Sequence, residues 1–414
     1  MDEDYKGAFA GFYSRFRKGS EYAVKGILVC CGSITGIAVL LITAFLFKEG
    51  FGLFDCPSVE SGYALCVHSS NSIEQLSPVQ VKQIFDGEIT GWDRLGSNRG
   101  AIVLFRFDEI FSLYPEEAFG EDYALLPLKL GEVIARNPDI IAYLPEQYLP
   151  DADGTVKVLP PGNIRASAFF GGREWLPTAT PSPQFGVLPL IAGTLWVSFF
   201  AILIALPPGL GVAIYMSELA GKRTRKLLKP AIELLAGIPS VVYGFFGLAV
   251  LVPLIQKTLA LPVGETAFAG SLILAIMALP TIITIAEDAL RGAPAAMREA
   301  SLALGATRWQ TIYRVTVPCA SSGIMAAIVL GIGRAVGETM AVLMVTGNAA
   351  VMPHSLFQPV RTIPATIAAE LGEAPAGGAH YRSLFLLGCI LFVITTVISI
   401  SAELISRRRY GRGL

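Results

Sequence analysis

The residues with the most chemical potential are Arg334 and Glu338, four apart in the run GIGRAVGETMAVLMVTGN (Gly331 to Asn348), among side chains apolar enough for a lipid bilayer. An ionisable side chain at bilayer depth costs at least ~2.5 to 3.5 kcal/mol on insertion scales, so it is normally paired, turned toward protein or water, and often functional. A spacing of four is about one helical turn, which places both residues on one face within reach of each other. Arg before Glu is the weaker order for an isolated helix, so helix stability alone is a poor reason for the pair. A structural ion pair between helices is the plainer alternative. Thr339 adds a hydroxyl, either a donor to a passing ligand or bonded back onto its own helix. Gly333 and Gly337 form a GxxxG, whose ordinary use is close helix packing.

The elements that must position these residues are membrane spans. The chain of 414 residues is 53% hydrophobic and only 16% charged, whereas soluble proteins carry about 25% charged residues. Six apolar stretches are long enough to cross the ~30 Å hydrocarbon core: Ile27 to Phe47, Val187 to Met216, Leu234 to Ile255, Ala267 to Ala286, Ala320 to Thr346 and Leu384 to Ile405. The fold class expected is therefore an all-α polytopic membrane protein. The first span reads as an uncleaved anchor, too long for a signal peptide and without an A-x-A site. Asp55 before Cys56 argues against a lipoprotein site.

Loop charges set the orientation. Lys6, Arg15, Arg17, Lys18 and Lys25 precede the first span; Lys222, Arg223, Arg225, Lys226 and Lys229 follow the second. Arg291, Arg298, Arg308 and Arg314 follow the fourth, and Arg407, Arg408, Arg409 and Arg412 form the tail. The opposite side carries only Lys257, Arg361 and Arg382 in its short loops. The positive-inside rule places both termini in the cytoplasm and residues 49–185 outside. The net charge of −1 is sorted by topology, which excludes a nucleic-acid face. Segment 1–26, with Phe9, Phe12 and Phe16, is either an interfacial helix against membrane lipid or a tail.

Segment 49–185 is long enough for a domain of its own. Turn signals at Asp86-Gly87, Pro138-Asp139 and Asp153-Gly154 punctuate it, and Pro177, Pro181 and Pro183 read as a linker into the second span. Strands are expected at Ala101 to Phe105 and Asp139 to Tyr143, helices at Pro78 to Phe85 and Leu128 to Ala135, giving a mixed α/β insert. Pro207-Pro208-Gly209 should bend or break the second span, and Leu235 to Ser240 interrupts the start of the third. Cys56 and Cys66 fall in the exported segment, where an oxidising compartment permits a disulfide; Cys30, Cys31, Cys319 and Cys389 are packing residues. His68, His354 and His380 are scattered without metal-ligand spacing. The spans hold no Ser/His, Cys/His or metal constellation for an intramembrane enzyme.

Between the fourth and fifth spans runs REASLALGATRWQTIYRVTVP, Arg298 to Pro318. Glu299, Ala300, Ser301, Gly305, Val315, Val317 and Pro318 resemble the EAA motif of ABC-importer permeases, a short helix, a glycine-permitted turn and a second segment along the membrane surface. With it, IELLAGIPSVVYGFFG (Ile232 to Gly247), AEDALR (Ala286 to Arg291), the GRAVGETM block and SLFQPVRTIPATIAAELGE (Ser355 to Glu373) resemble phosphate ABC-importer permeases of the PstC type.

That resemblance implies the type I importer permease fold over 186–406, with the EAA loop at about 290–318 and a basic tail at 407–414. It implies a multi-pass subunit of the cell inner membrane that works by alternating access and carries no ATPase site. Its partners would be a second permease of the PstA type, two ATPases of the PstB type and an external phosphate-binding protein. The chain itself would bind no cofactor, ATP and Mg serving the partner ATPase; no G-x-x-x-x-G-K-[ST] occurs in the sequence. Arg334 and Glu338 match the charged residues the family implicates in phosphate passage, and a guanidinium fork suits phosphate. The cargo alternatives are molybdate, sulfate or phosphonate; a phosphate-sensing signalling protein is the alternative of another class.

The insert has its own resemblance. LSPVQVKQIFDGEITGWDRLGS (Leu76 to Ser97) and NPDIIAYLPEQY (Asn137 to Tyr148) are similar to stretches of phosphate-binding proteins. Where that family places a Ser-Gly-Thr phosphate loop after an arginine, this chain has Phe107, Asp108 and Glu109 after Arg106. Acidic side chains there repel an anion, so the insert is expected to be a partial relative that does not bind phosphate and serves docking or gating, with binding of some other ligand as the alternative.

Overall fold

The computed structural model describes residues 3–97, 99–150 and 154–410. Asp153, of the third turn signal, and the tail from 411 onward, with Arg412, lie outside the described residues.

Among the described residues, five helices are long and apolar enough to cross a membrane: Val24–Asp55, Leu188–Leu219, Ser240–Thr258, Ala267–Arg291 and Ala379–Ser401. The first continues a helix that starts at Glu3. The fifth stretch in chain order departs from a plain span. Segments Arg308–Cys319 and Ser321–Val336 meet at 70°, and after Val336 the helix stops and restarts at Met340–Val345.

Of the bend or break expected in the second span, the break is not there: Pro207 and Pro208 sit inside a helix that continues from Leu188 to Ile214. Tight packing on the fourth span holds this segment in place: a side chain on Gly209 would come within 2.9 Å of Ile282. The expected interruption before the third span is present. Helix Lys222–Gly237 ends, Ile238 and Pro239 are extended, and a new helix begins at Ser240.

The fourth span is the centre of the transmembrane core. Ala269, Ile273, Met277, Ala278 and Ile282 are buried against Val197, Ala201 and Ala205 of the second span and Ala335, Ala341 and Val345 beyond the bend. Small residues permit this closeness, the main route to helix association where lipid is as apolar as the side chains. Ser271 donates to the Val197 carbonyl at 3.2 Å and Thr194 accepts from the Ile363 amide at 2.9 Å.

The insert is built on a four-stranded sheet ordered β2-β3-β1-β4. β1 (Tyr63–His68) pairs antiparallel with β3 (Ile140–Pro145) and β4 (Val156–Leu159), and β2 (Val103–Arg106) runs parallel to β3. Period-two alternation splits β1 between two cores: Leu65 and Val67 pack with Trp92 and Val81, while Cys66 packs with Phe119 and Leu130. Helices Pro78–Phe85 and Leu126–Arg136 lie near their expected places, the first opened by a Ser77/Gln80 capping box.

The proline-rich segment is more than a linker. Trp175–Leu176 (β5) and Gln184–Phe185 (β6) form a hairpin. Trp175 and Phe185 are buried with Leu53, Leu190, Ile363 and Leu384, so the insert is packed onto the transmembrane part. The Cys56–Cys66 disulfide that the compartment would permit is not formed. Both thiols are free, Cys56 in this interface and Cys66 inside the insert's second core.

Candidate membrane pathway and coupling site

Arg334 and Glu338 are not paired. Gly337, a poor helix former, closes the helix with its amide on the Gly333 carbonyl at 3.2 Å. Glu338 then lies past the helix end and accepts from the Ala341 amide at 3.5 Å, serving a donor that the restarted helix would otherwise leave orphaned. Arg334 instead donates to Thr281 Oγ1 of the fourth span at 3.2 Å. Thr281 is its one hydrogen-bond partner among the described residues, and the guanidinium is half-buried. Five N–H groups belong to a guanidinium, so most remain free for an oxyanion.

Thr339 donates back to the Gly337 carbonyl at 3.3 Å, the local alternative. With Gly337 it lines a cavity of about 540 Å³, largely apolar, with Pro364, Ile367 and Leu391; neither Arg334 nor Glu338 lines it. The GxxxG face is open: a side chain at Gly333 would meet nothing within 4 Å.

The segment that resembles the EAA motif has the expected helix–turn–helix shape. Helix Ala295–Ala303 carries Glu299, Ala300 and Ser301, Gly305 turns the chain at φ +83°, and Thr307 opens the next helix with a capping box to Gln310. Glycine alone adopts that φ at no steric cost. Ser301 Oγ and Thr311 Oγ1 lie 3.0 Å apart and hold the two arms together. Val315, within a π-helical turn, Val317 and Pro318 lead to the 70° bend. The outer face is apolar and uncovered: Leu304 is 89% exposed, and Met297, Leu302, Trp309 and Tyr313 are exposed beside it. Five large apolar side chains exposed within seventeen residues suit an interaction surface.

Arg298, adjoining the motif, is the joint to the spans. It pairs with Glu218 at the end of the second span at 3.1 Å. It also donates to the carbonyls of Ala293 at 2.8 Å and Arg291 at 3.4 Å, satisfying groups that the end of the fourth span leaves open. Buried Glu287 completes the junction, 2.6 Å from Arg225 of helix Lys222–Gly237.

A second polar hub went unread in the sequence. Glu370, at the end of helix Ile363–Glu370, accepts from Trp175 Nε1 at 3.0 Å and lies 2.8 Å from Arg361 and 2.9 Å from His380 Nε2. Burial pushes its carboxyl up, but hydrogen bonds from His380 and Trp175 and the charge of Arg361 outweigh that and hold it below its ordinary value. The hub fastens the hairpin β5–β6 to the loop before the last span. Its partners, Trp175, Arg361 and His380, are far apart in sequence, and no local pattern signals that they meet.

Residues 209–410 match the family model described as binding-protein-dependent transport system inner membrane component. The probable ABC transporter permease protein YqgH of Bacillus subtilis is 44% identical over 58% of this chain and 78% of its own length. The phosphate transport system permease protein PstC of Pasteurella multocida is 40% identical over 59% of this chain and 82% of its own. Among solved structures, the inward-facing methionine ABC transporter MetNI aligns at 19% identity with a TM-score of 0.44, over 54% of this chain and 96% of that one.

Proposed function

From the premise that the chain belongs to the binding-protein-dependent transport system inner membrane components, among permeases of the PstC type, we propose that it is the membrane-spanning subunit of an ATP-driven importer of inorganic phosphate. The observation that carries the reading is the double attachment of the fourth span. Its cytoplasmic end is held by Arg298 beside the EAA motif, and Thr281, further along the same helix, holds Arg334. Ten residues separate Thr281 from Arg291, about 15 Å at 1.5 Å per residue. A movement of the coupling segment is delivered to the free guanidinium through one rigid element.

ATP binding and hydrolysis, with Mg, belong to two ATPases of the PstB type seated on the exposed face around Leu304 and Trp309. A second permease of the PstA type covers the open Gly333–Gly337 face, and a phosphate-binding protein delivers the anion from outside. The termini are cytoplasmic, the membrane is the inner membrane, and the chain is not itself an enzyme. Arg334 offers its forked donors to phosphate. Glu338, displaced from the guanidinium by the helix break, limits how tightly the anion is held, as release requires. A sensor without transport has no use for the exposed coupling face.

The test is ATP-dependent accumulation of labelled phosphate in proteoliposomes holding the assembled complex and its binding protein. Uptake resistant to excess sulfate, molybdate and phosphonate supports the assignment. Uptake abolished by one of those competitors reassigns the cargo, and absence of ATP-dependent uptake removes the permease reading.

A further inference from the structure

The insert contains a built cleft that the family match, residues 209–410, does not reach. β2 and β3 are parallel with Arg106 opposite Tyr143, so both strands end at one edge of the sheet. In open α/β sheets the crevice beyond the carboxyl ends of parallel strands is the usual place for a ligand. Here that crevice has a volume of about 330 Å³ and is closed on its far side by Thr180 and Pro181, in the turn of the hairpin β5–β6. That volume lies in the range of small-molecule sites.

The walls define the ligand. Tyr143, 8% exposed, donates to Glu60 Oε2 at 2.5 Å, which fixes that carboxylate at the rim as an acceptor. The Tyr63 ring stacks on Tyr143 at 4.6 Å, and the Phe85 ring stands edge-on to it at 6.3 Å. Arg106 lies 5.9 Å from the Phe85 ring centroid and has no ion pair among the described residues; nor has Asp108, two residues on. The cleft thus presents one free guanidinium, two carboxylates and a stacked aromatic floor. Two carboxylates oppose a bare oxyanion. A molecule with an anionic group for the guanidinium fork and an ammonium for the carboxylates and ring faces satisfies every wall.

We propose that this cleft binds a small zwitterion carrying an ammonium and an oxyacid group, an amino acid or an aminoalkylphosphonate, with its anionic end on Arg106 and its ammonium toward Glu60 and Asp108. The proposal is independent of the cargo assigned to the spans. Because the hairpin that closes the cleft also carries Trp175, bound to Glu370, occupancy is communicated to the transmembrane part.

The experiment is calorimetric titration of the full-length chain in lipid nanodiscs with pooled L-amino acids, 2-aminoethylphosphonate and inorganic phosphate. Saturable binding of the amino acids or of the aminophosphonate, with none of phosphate, is expected, and the responding arm identifies the source. Arg106→Gln and Asp108→Asn, both at exposed positions, should each weaken it about tenfold or more while the thermal unfolding midpoint stays unchanged. Tyr143→Phe, which keeps the stacked core and frees Glu60, should weaken it less. The proposal is overturned by absence of saturable binding to every zwitterionic probe, by binding that survives both substitutions, or by phosphate binding as tightly as the zwitterions.

Discussion

Replacing Arg298 with alanine tests the mechanical part of the mechanism. The side chain pairs with Glu218 at 3.1 Å and donates to the Ala293 and Arg291 carbonyls at 2.8 and 3.4 Å. Hydrogen bonds to a charged group contribute about 1.5 to 3 kcal/mol, and a cation at a helix carboxyl end adds about 0.3 to 1 kcal/mol. The pair is 25% and 10% exposed, so it falls between the ~1 kcal/mol of a surface pair and the 3 to 5 kcal/mol lost on breaking a buried one. A combined loss of about 3 kcal/mol leaves a folded chain and shifts docking of the coupling segment on the fourth span by roughly two orders of magnitude. In proteoliposomes the variant should assemble and hydrolyse ATP, while phosphate moved per ATP falls at least about tenfold. Glu218→Gln should act in the same direction with a smaller effect. Unchanged uptake per ATP in an assembled Arg298→Ala complex would refute the joint.

Other consequences are equally concrete. Glu370→Gln removes the charge from a carboxylate with three partners; the insert should become more protease-sensitive at its β5–β6 hairpin and the unfolding midpoint should drop, with a loss of about 2 to 4 kcal/mol. The folded carboxyl of Glu370 lies below its ordinary value, so its stabilisation is complete above the unfolded value of about 4.3 and is lost as pH falls through the lower folded one. The wild-type melting temperature should therefore hold near neutrality and drop below about pH 4, and this acid step should be diminished in Glu370→Gln. Burial pushes the Cys66 thiol up to about 12. A maleimide at pH 8 should leave it unlabelled until the chain unfolds, and a mild oxidant should produce no Cys56–Cys66 bridge; prompt labelling or cross-linking would contradict the placement of these thiols in separate cores.

The spans were legible because length and hydropathy decide them with little help from tertiary context, and the EAA arm was legible because Gly305 leaves few choices for its turn. The Arg334–Glu338 pairing that the spacing implies does not form, because a spacing of four defines a shared face only on an unbroken helix. Gly337 and the Glu338 cap end that helix between them. The prolines at 207 and 208 broke nothing, since the neighbouring fourth span maintains a helix that propensity disfavours. β1 and β4 are short apolar runs with no strand signal of their own, their identity set by pairing partners far along the chain. Arg361 and Arg382 entered only as loop charges. Their structural roles, on Glu370 and on the Gly52 carbonyl, depend on contacts no local pattern encodes.

In the mechanism proposed above, phosphate crosses beside Arg334. The most direct measurement is labelled phosphate uptake by the complete complex carrying Arg334→Gln, with assembly and ATP hydrolysis monitored in the same preparation. Uptake should fall by about a hundredfold, since glutamine keeps a hydrogen-bond donor for Thr281 but loses the charged fork, and Arg334→Lys should recover only part of it. Wild-type uptake by an assembled Arg334→Gln complex would show that the anion takes another route and that Arg334 serves only to hold the fifth stretch against the fourth span.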